Sequence, residues 1–356
     1  MIKLFSFKKR RKRQERELAP QLTAWQRRAL EVAGVPPAGL PYSTYDEMEK
    51  DSMVQTCLTV KKLGVVAAEW RIVGDQRRSE FVEEAFARMD GSPHTILSGA
   101  MDAFAKGWSV QEIVYDTDGL MTWIEAVRPK DPSLFGLEVD RFGHLRELKL
   151  QLPGESVMDV PRSKFVVYSN RGSYGRAKGR SDLDPAYRHW SSKQSLLNAW
   201  KFHLERFAMP TVLGSFERGL SAEEQASILS AMQNLSQHTA VIFPNEIAID
   251  TLGGQKESSS GFMEALDFHN REIARAILGQ TLTTDEGRRV GSLAMGKVHL
   301  QVLLLQLEAI RRELADVVMT EQVIRPLVEL NFGPGPIPRF EFVSTPVSAF
   351  ATGELA

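Results

Sequence analysis

GRSDLDPAYRHWSSKQSLLNAWKFHLERFAMP, residues 179–210, is the stretch whose reading decides the fold. It follows NRGSYGRAKGR, a run rich in glycine and arginine of the kind that cradles phosphate, and it ends as a structural helix. Asp184 suits an N-cap, and Pro185 suits the first helical position, where a missing N–H costs nothing. Trp190, Leu197, Trp200, Leu204 and Phe207 then share one face. Arg188, Ser192, Lys193, Gln194, Asn198, Lys201 and Glu205 share the other. Nothing interrupts the pattern before Pro210, so the spacing predicts a helix of about 24 residues, about 36 Å long. The phosphate reading fails on spacing. A P-loop needs G-x-x-x-x-G-K-[ST], and the glycines at 172, 175 and 179 do not supply it. The glycines read as a turn into a long strut.

Downstream the chain makes a small excursion. PTVLGSF is a strand, and SAEEQASILSAMQNL is a helix with Ser221 and Glu224 forming a capping box. TAVIFP and EIAIDTL read as returning strands, and GGQKESSSG as a flexible linker. GFMEALDFHNREIARAIL is helical again, with Phe262, Leu266, Ile273 and Ile277 on one face. GQTLTTDEGRRVGS is a polar irregular loop that buries little apolar area, which predicts high mobility. From Ser292 a very long helix follows, interrupted only by Pro326, and after GPGPIP the stretch RFEFV is a last strand. A helix pair of this kind has little core of its own, and copies of the same chain are its natural neighbours.

Upstream, Leu22–Val32 reads as a short helix broken by GVPPAGLP. TYDEMEKDSMVQTCLTVKKLGVVAAEWRIVG reads as one helix feeding a strand. Thr44 is its N-cap, Glu47 closes a capping box, and Met53, Cys57, Val60 and Leu63 recur at helical spacing. SEFVEEAFARM and PHTILSGAMDAFAKGW are short helices. From 109 the period changes to two. SVQEIVYDTDGLMTWIEAVRP is a hairpin about Asp118-Gly119, LFGLEVDRFGHLRELKLQ is a second, and KFVVYSN is a further strand.

The 356 residues are 43% hydrophobic and 25% charged, with a net charge of −1, which is ordinary for a folded α+β protein. The exception is MIKLFSFKKRRKRQER, which carries eight Lys or Arg against one Glu and reads as a solvated basic arm, residues 1–20. No apolar run follows it as in a signal peptide, and no run of about 18 apolar residues predicts a membrane span. The single cysteine, Cys57, cannot form an intramolecular disulfide and reads as a small buried hydrophobe. With that cysteine usage the chain reads as intracellular in origin. There is no G-x-S-x-G elbow, no H-E-x-x-H and no histidine pair at ligand spacing. His269 with Glu272 is at most half a metal site, and a surface helical pair is the plainer reading. No catalytic residue, metal site or cofactor is therefore assigned.

Taken in order, these stretches resemble the bacteriophage portal proteins, most closely the Mu-like prophage portal family. The resemblance is carried by AFAKGWSVQEIVYDTDG, by GRSDLDPAYRHWSSKQSLLNAWKFHLERFAMPTVLG, by AILGQTLTTDEGRRVGSLAMGKVH and by IRPLVELNFGPGPIPRFEF, and it covers roughly residues 40 to 343. It implies an α+β portal fold with residues 21–183 as an α/β wing. Residues 184–208 become stem helix 1, 209–261 the clip insert and its linker, and 262–278 stem helix 2. The tunnel loop is 279–291, and 292–356 is the long wing helix with the C-terminal strand. The family's usual pattern continues past the last strand, whereas this sequence stops at STPVSAFATGELA, so the crown is expected to be reduced or absent.

The resemblance further implies a ring of about twelve subunits at one capsid vertex of a virion, assembled in the host cytoplasm. Double-stranded DNA enters through its axis, driven by the large terminase, and leaves the same way. The major capsid protein and head–tail connector or neck proteins are the other implied partners, and no membrane is involved. On this reading Thr283, Thr284, Asp285, Glu286, Arg288 and Arg289 meet DNA in the tunnel loop. Lys193, Lys201 and Lys297 are candidates along the stem, and Trp190, Leu197, Trp200, Leu204 and Phe207 bury against neighbouring copies. A passage for DNA must hold phosphate weakly, and a near-neutral protein suits that. The competing expectations are a nucleic-acid-binding accessory virion protein acting through the basic arm, and an enzyme whose site assembles only in three dimensions.

Overall fold

A computed structural model describes residues 39–140, 145–172, 176–208, 212–216, 219, 221–236, 240–244, 258–281 and 293–343. The chain divides into two compact units, Arg188–Glu272 and the remainder on either side of it.

The larger unit opens with two helices, α1 (Tyr42–Glu49) and α2 (Ser52–Val66), where the sequence suggested one. The break is Asp51, whose carboxylate accepts from the backbone N–H of Met53 and of Val54 and so starts a fresh helix. Thr44 is consequently inside α1, and Pro41 precedes it. The buried stripe of α2 is Val54, Cys57, Leu58, Lys61 and Val65, while Leu63 points to solvent. Burial pushes the Cys57 thiol up to about 12, consistent with a packed hydrophobe.

Strand β1 (Trp70–Val73) pairs antiparallel with β10 (Arg339–Phe342), register Trp70↔Phe342. Trp70 stacks on Phe340 at 5.3 Å between ring centroids and meets the edge of Phe86 from α3 (Gln76–Arg88). After α4 (Pro93–Ala100) and α5 (Ala103–Lys106), the hairpin expected at Asp118-Gly119 forms β2 (Trp108–Thr117) and β3 (Thr122–Lys130). The Asp118 carboxylate fixes its turn, accepting from the N–H groups of Leu120 and Met121 and from the Trp123 indole. Strand β7 (Phe165–Ser169) completes the sheet in the order β3-β2-β7. A second antiparallel sheet contains β4 (Phe135–Val139), β5 (Leu145–Leu150) and β6 (Met158–Val160). Its Phe135 and Leu148 share one buried cluster with Trp108, Val110, Phe165 and Val167.

The long C-terminal helix behaves differently from expectation. It runs as α9 (Leu293–Glu313), an eleven-residue π-helical stretch Leu314–Ile324, and α10 (Arg325–Phe332). Pro326 sits in the first turn of α10, and the change of hydrogen bonding comes before it, at Leu314. A proline ring donates nothing and crowds the carbonyl four residues back, and wider π turns ahead of it relieve that conflict.

Three side chains of this region close the open edges of the sheets. The Gln322 amide accepts from Val167 N–H at 2.8 Å and donates to Val167 C=O at 3.0 Å, as a further strand would on the outer side of β7. Asn331 does the same for Thr122 of β3, at 2.7 and 2.8 Å. Thr320 Oγ1 accepts the Phe340 N–H of β10 at 3.1 Å.

The smaller unit contains most of α6 (Tyr187–Ala208) and the start of α8 (Ser258–Leu278). Between them β8 (Val212–Phe216) and β9 (Ala240–Pro244) pair in parallel, with α7 (Ala222–Ser236) as their crossover. The Ser221/Glu224 capping box forms as expected, with Ser221 N–H donating to Glu224 at 2.8 Å and Glu224 N–H to Ser221 Oγ at 3.3 Å. Ser258 to Gly261, assigned to a linker from composition, already belongs to α8. The stretch EIAIDTL lies outside the described residues.

Candidate functional site

The glycine- and arginine-rich run is a crossing point for the backbone. Gly179 has φ +62°, and a Cβ there would lie 2.4 Å from the carbonyl oxygens of both Asn170 and Gly107. Only glycine permits that conformation and approach without strain. Arg180 N–H donates to Asn170 C=O at 2.8 Å, and Asp182 N–H to Phe104 C=O at 2.8 Å, so residues 179–183 are stitched to α5 and β7. Asp182 is buried and forms an ion pair with Lys61 of α2, whose ammonium also lies 4.2 Å from the centre of the Phe104 ring. Asn170 Nδ2 donates to the same carboxylate at 3.1 Å.

Asp184 departs from its expected part. The continuous helix starts at Tyr187, and the Asp184 carboxylate accepts the Tyr45 hydroxyl at 2.5 Å. The segment that enters α6 is thus pinned by two carboxylates to α1 and α2. Beside it is a cavity of about 310 Å³ lined by Tyr42, Lys106, Arg176, Lys178, Arg180 and Asp184, among others. Lys106 is committed to Asp46 at 2.9 Å, and Lys178 lies 5.1 Å from the Trp108 ring centre.

In the smaller unit α6 and α8 run antiparallel, since His189 meets His269 and His203 meets Phe262. Helix α6 has 22 residues, about 33 Å at 1.5 Å per residue. Its expected apolar face is only partly covered: Trp190, Leu197 and Trp200 are half-buried, and Leu204 is 45% exposed. Phe202, which the face assignment omitted, is 66% exposed. The Trp200 indole N–H is buried with no hydrogen-bond partner among the described residues. Of the expected stem cations, Lys201 is exposed, with Glu205 at 3.9 Å. Lys193, on the face expected to be polar, is only 7% exposed. A helix half-covered by neighbours has no strictly polar side, and a long Lys stem packs readily while its head finds partners.

Thr283, Thr284, Asp285, Glu286, Arg288 and Arg289 lie outside the described residues, as do the side chains of Lys297 and Phe207. The basic arm lies outside them too.

Two features escaped the sequence reading. Helix α9 is apolar on two sides. Leu303 and Leu307 are buried, with Leu307 packed on Gly64 so closely that a Cβ there would approach it to 2.6 Å, while Val298, Val302 and Leu305 form an exposed stripe at i, i+4, i+7. The run VHLQVLLLQLEAI already carried that signal. The second is His189 against His269, Nδ1 to Nδ1 at 3.2 Å. Burial, with the facing imidazole, holds His269 below the ordinary histidine range, and Glu272 works against that shift. Eighty residues separate the two rings, and no spacing rule pairs them.

The geometry defines an α+β protein of two compact units, with helices packed on small, mostly antiparallel sheets. Comparison with known proteins gives the family: residues 42–351 match the family described as Portal protein of Mu bacteriophage, and the chain belongs to it. The portal protein of Escherichia phage Mu is 25% identical over 300 residues, covering 81% of this chain and 56% of that protein. Mu-like prophage FluMu protein gp29 of Haemophilus influenzae is 26% identical over 326 residues, covering 86% of this chain and 61% of that protein. The chain therefore spans somewhat under two thirds of the length of these curated relatives. Among solved structures, the fold is similar to a chain in the neck of an empty gene transfer agent particle computed with C6 symmetry, with a TM-score of 0.60, 14% identity and 90% of both chains covered. A chain in the neck of the native particle computed with C12 symmetry gives a TM-score of 0.59, 14% identity and 92% coverage of both.

Proposed function

We propose that this chain assembles with copies of itself, about twelve, into a ring at one capsid vertex through which double-stranded DNA is packaged and later ejected. The observation that carries the reading is the family match over residues 42–351. The physical chemistry supports it. Helix α9 exposes Val298, Val302 and Leu305, and α6 exposes Phe202 and Leu204, on helices whose other faces are already used. A helix that is apolar on more than one side calls for a partner, and a closed ring supplies the same partner to every copy. On this reading the large terminase and the neck proteins dock on the insert 209–261, the capsid protein meets the wing, and the loop 279–291 faces DNA. The protein works as a conduit rather than a catalyst, in the virion after assembly in the host cytoplasm.

Class averages of the purified full-length protein by electron microscopy test the proposal directly. Rings with a central channel are expected. A monomer at micromolar concentration that binds DNA in a salt-sensitive manner would instead favour an accessory role for the basic arm.

A further inference from the structure

We infer that His189 and His269 form a binding site for a late first-row divalent metal ion, of the Zn²⁺ or Ni²⁺ type, that bridges α6 and α8. The two Nδ1 atoms come from different helices and lie 3.2 Å apart, with ring planes inclined at 51°. Two nitrogens bound to one tetrahedral zinc at about 2.05 Å stand about 3.3 Å apart, and at a right angle on an octahedral ion about 2.9 Å. The observed separation falls between these values. It also lies at the long limit for an N–H···N hydrogen bond, so the same separation suits either a shared proton or a bridging metal ion.

The chemistry of the pair selects the ion. Two neutral imidazoles suit zinc, nickel and copper, and they compete poorly for magnesium or calcium, which take oxygen. Among the described residues no third His, Cys, Asp or Glu joins them, so water fills the remaining positions. Glu272, one helical turn beyond His269, contributes its negative field at longer range. The Phe268 ring lies against His189, with centroids 5.9 Å apart, and limits the turning of that imidazole. Both ligands belong to one unit of one chain, so the pair forms without a second copy and does not depend on ring assembly. An ion there would add a coordinate link to the ring contacts that already join the two helices.

The test is calorimetric titration of untagged full-length protein with ZnCl₂ and, separately, NiCl₂, with MgCl₂ as the control. One ion per chain is expected for the unmodified protein, with a rise in Tm of a few degrees at a hundredfold excess over Kd. His189→Gln and His269→Gln should each lower the affinity at least tenfold, and His94→Gln should leave it unchanged. A second measurement needs no variant: Zn²⁺ should protect His189 and His269, but not His94, from diethyl pyrocarbonate, as mapped by peptide mass spectrometry. Undiminished binding by the double variant, or modification of His189 and His269 at the same rate with and without Zn²⁺, overturns the proposal. Either result is separable from ring formation, which is read from images of the same metal-free protein.

Discussion

At the scale of single residues, the crossing at residues 179–183 is held by a small buried polar cluster. Lys61 and Asp182 are both withdrawn from water, so each depends on the other. Replacing one partner of such a pair leaves an uncompensated buried charge and costs about 3–5 kcal/mol. Asp182→Asn keeps the shape and the Asn170 contact geometry but strands the Lys61 ammonium. A loss of that order is expected in urea unfolding. A loss below about 1 kcal/mol would mean that Lys61 reaches solvent when unpaired. Gly179→Ala is a separate experiment on the same corner, because it changes no charge. With a Cβ forced to 2.4 Å from two carbonyl oxygens at φ +62°, the crossing must open. We expect a Tm drop of several degrees, from strain on the order of 1–3 kcal/mol.

At the scale of elements, hydrophobic period and turn chemistry were legible, and long-range polar contacts were not. The Asp118-Gly119 hairpin, the Ser221 capping box and the apolar positions Leu266, Ile273 and Ile277 of α8 all announce themselves within a few residues. Asp51 illustrates the limit. A capping carboxylate and a helical surface carboxylate look alike in sequence, and the contest between Thr44 and Asp51 is settled by packing around α1 and α2. The same holds for Gln322 and Asn331, whose amides act as strand mimics on opposite edges of one sheet, and for His189 and His269, brought together only by the antiparallel run of two helices. The edge contacts give a sharp prediction. Gln322→Glu can still accept from Val167 N–H and from the Arg162 guanidinium but sets a carboxylate oxygen against Val167 C=O, whereas Gln322→Leu removes every bond of the amide, including the one that Arg162 donates. Unsatisfied groups cost about 1–3 kcal/mol each. Both variants should be destabilised in urea unfolding, the Leu variant the more, because it also takes the acceptor from the Arg162 guanidinium. Equal stability of all three proteins would show that the amide merely occupies the edge.

At the scale of the whole molecule, the proposed ring repeats each surface feature with every copy. Leu305→Asp and Leu204→Asp change residues that are 61% and 45% exposed in the isolated chain, so neither should disturb the fold of the protomer. If those faces are covered by neighbouring copies, each variant buries an unpaired carboxylate at every interface, and light scattering should report smaller species with unchanged circular dichroism. Normal rings from both variants would place the subunit contacts elsewhere. In the proposed ring, multiplicity would also govern any dealings with DNA. Arg288 and Arg289, with Asp285 and Glu286 beside them, are the charges proposed for the loop between α8 and α9. Replacing both arginines by Glu swings the loop of every copy from balanced to acidic. A duplex threading the ring would then meet a band of like charge whose repulsion is weakened by added salt. Assembly should be untouched, because the change lies outside the apolar faces, while packaging or retention of packaged DNA should fall and recover partly as salt is raised. Genome packaging and retention equal to the parent at low salt would mean that this loop does not meet the phosphates.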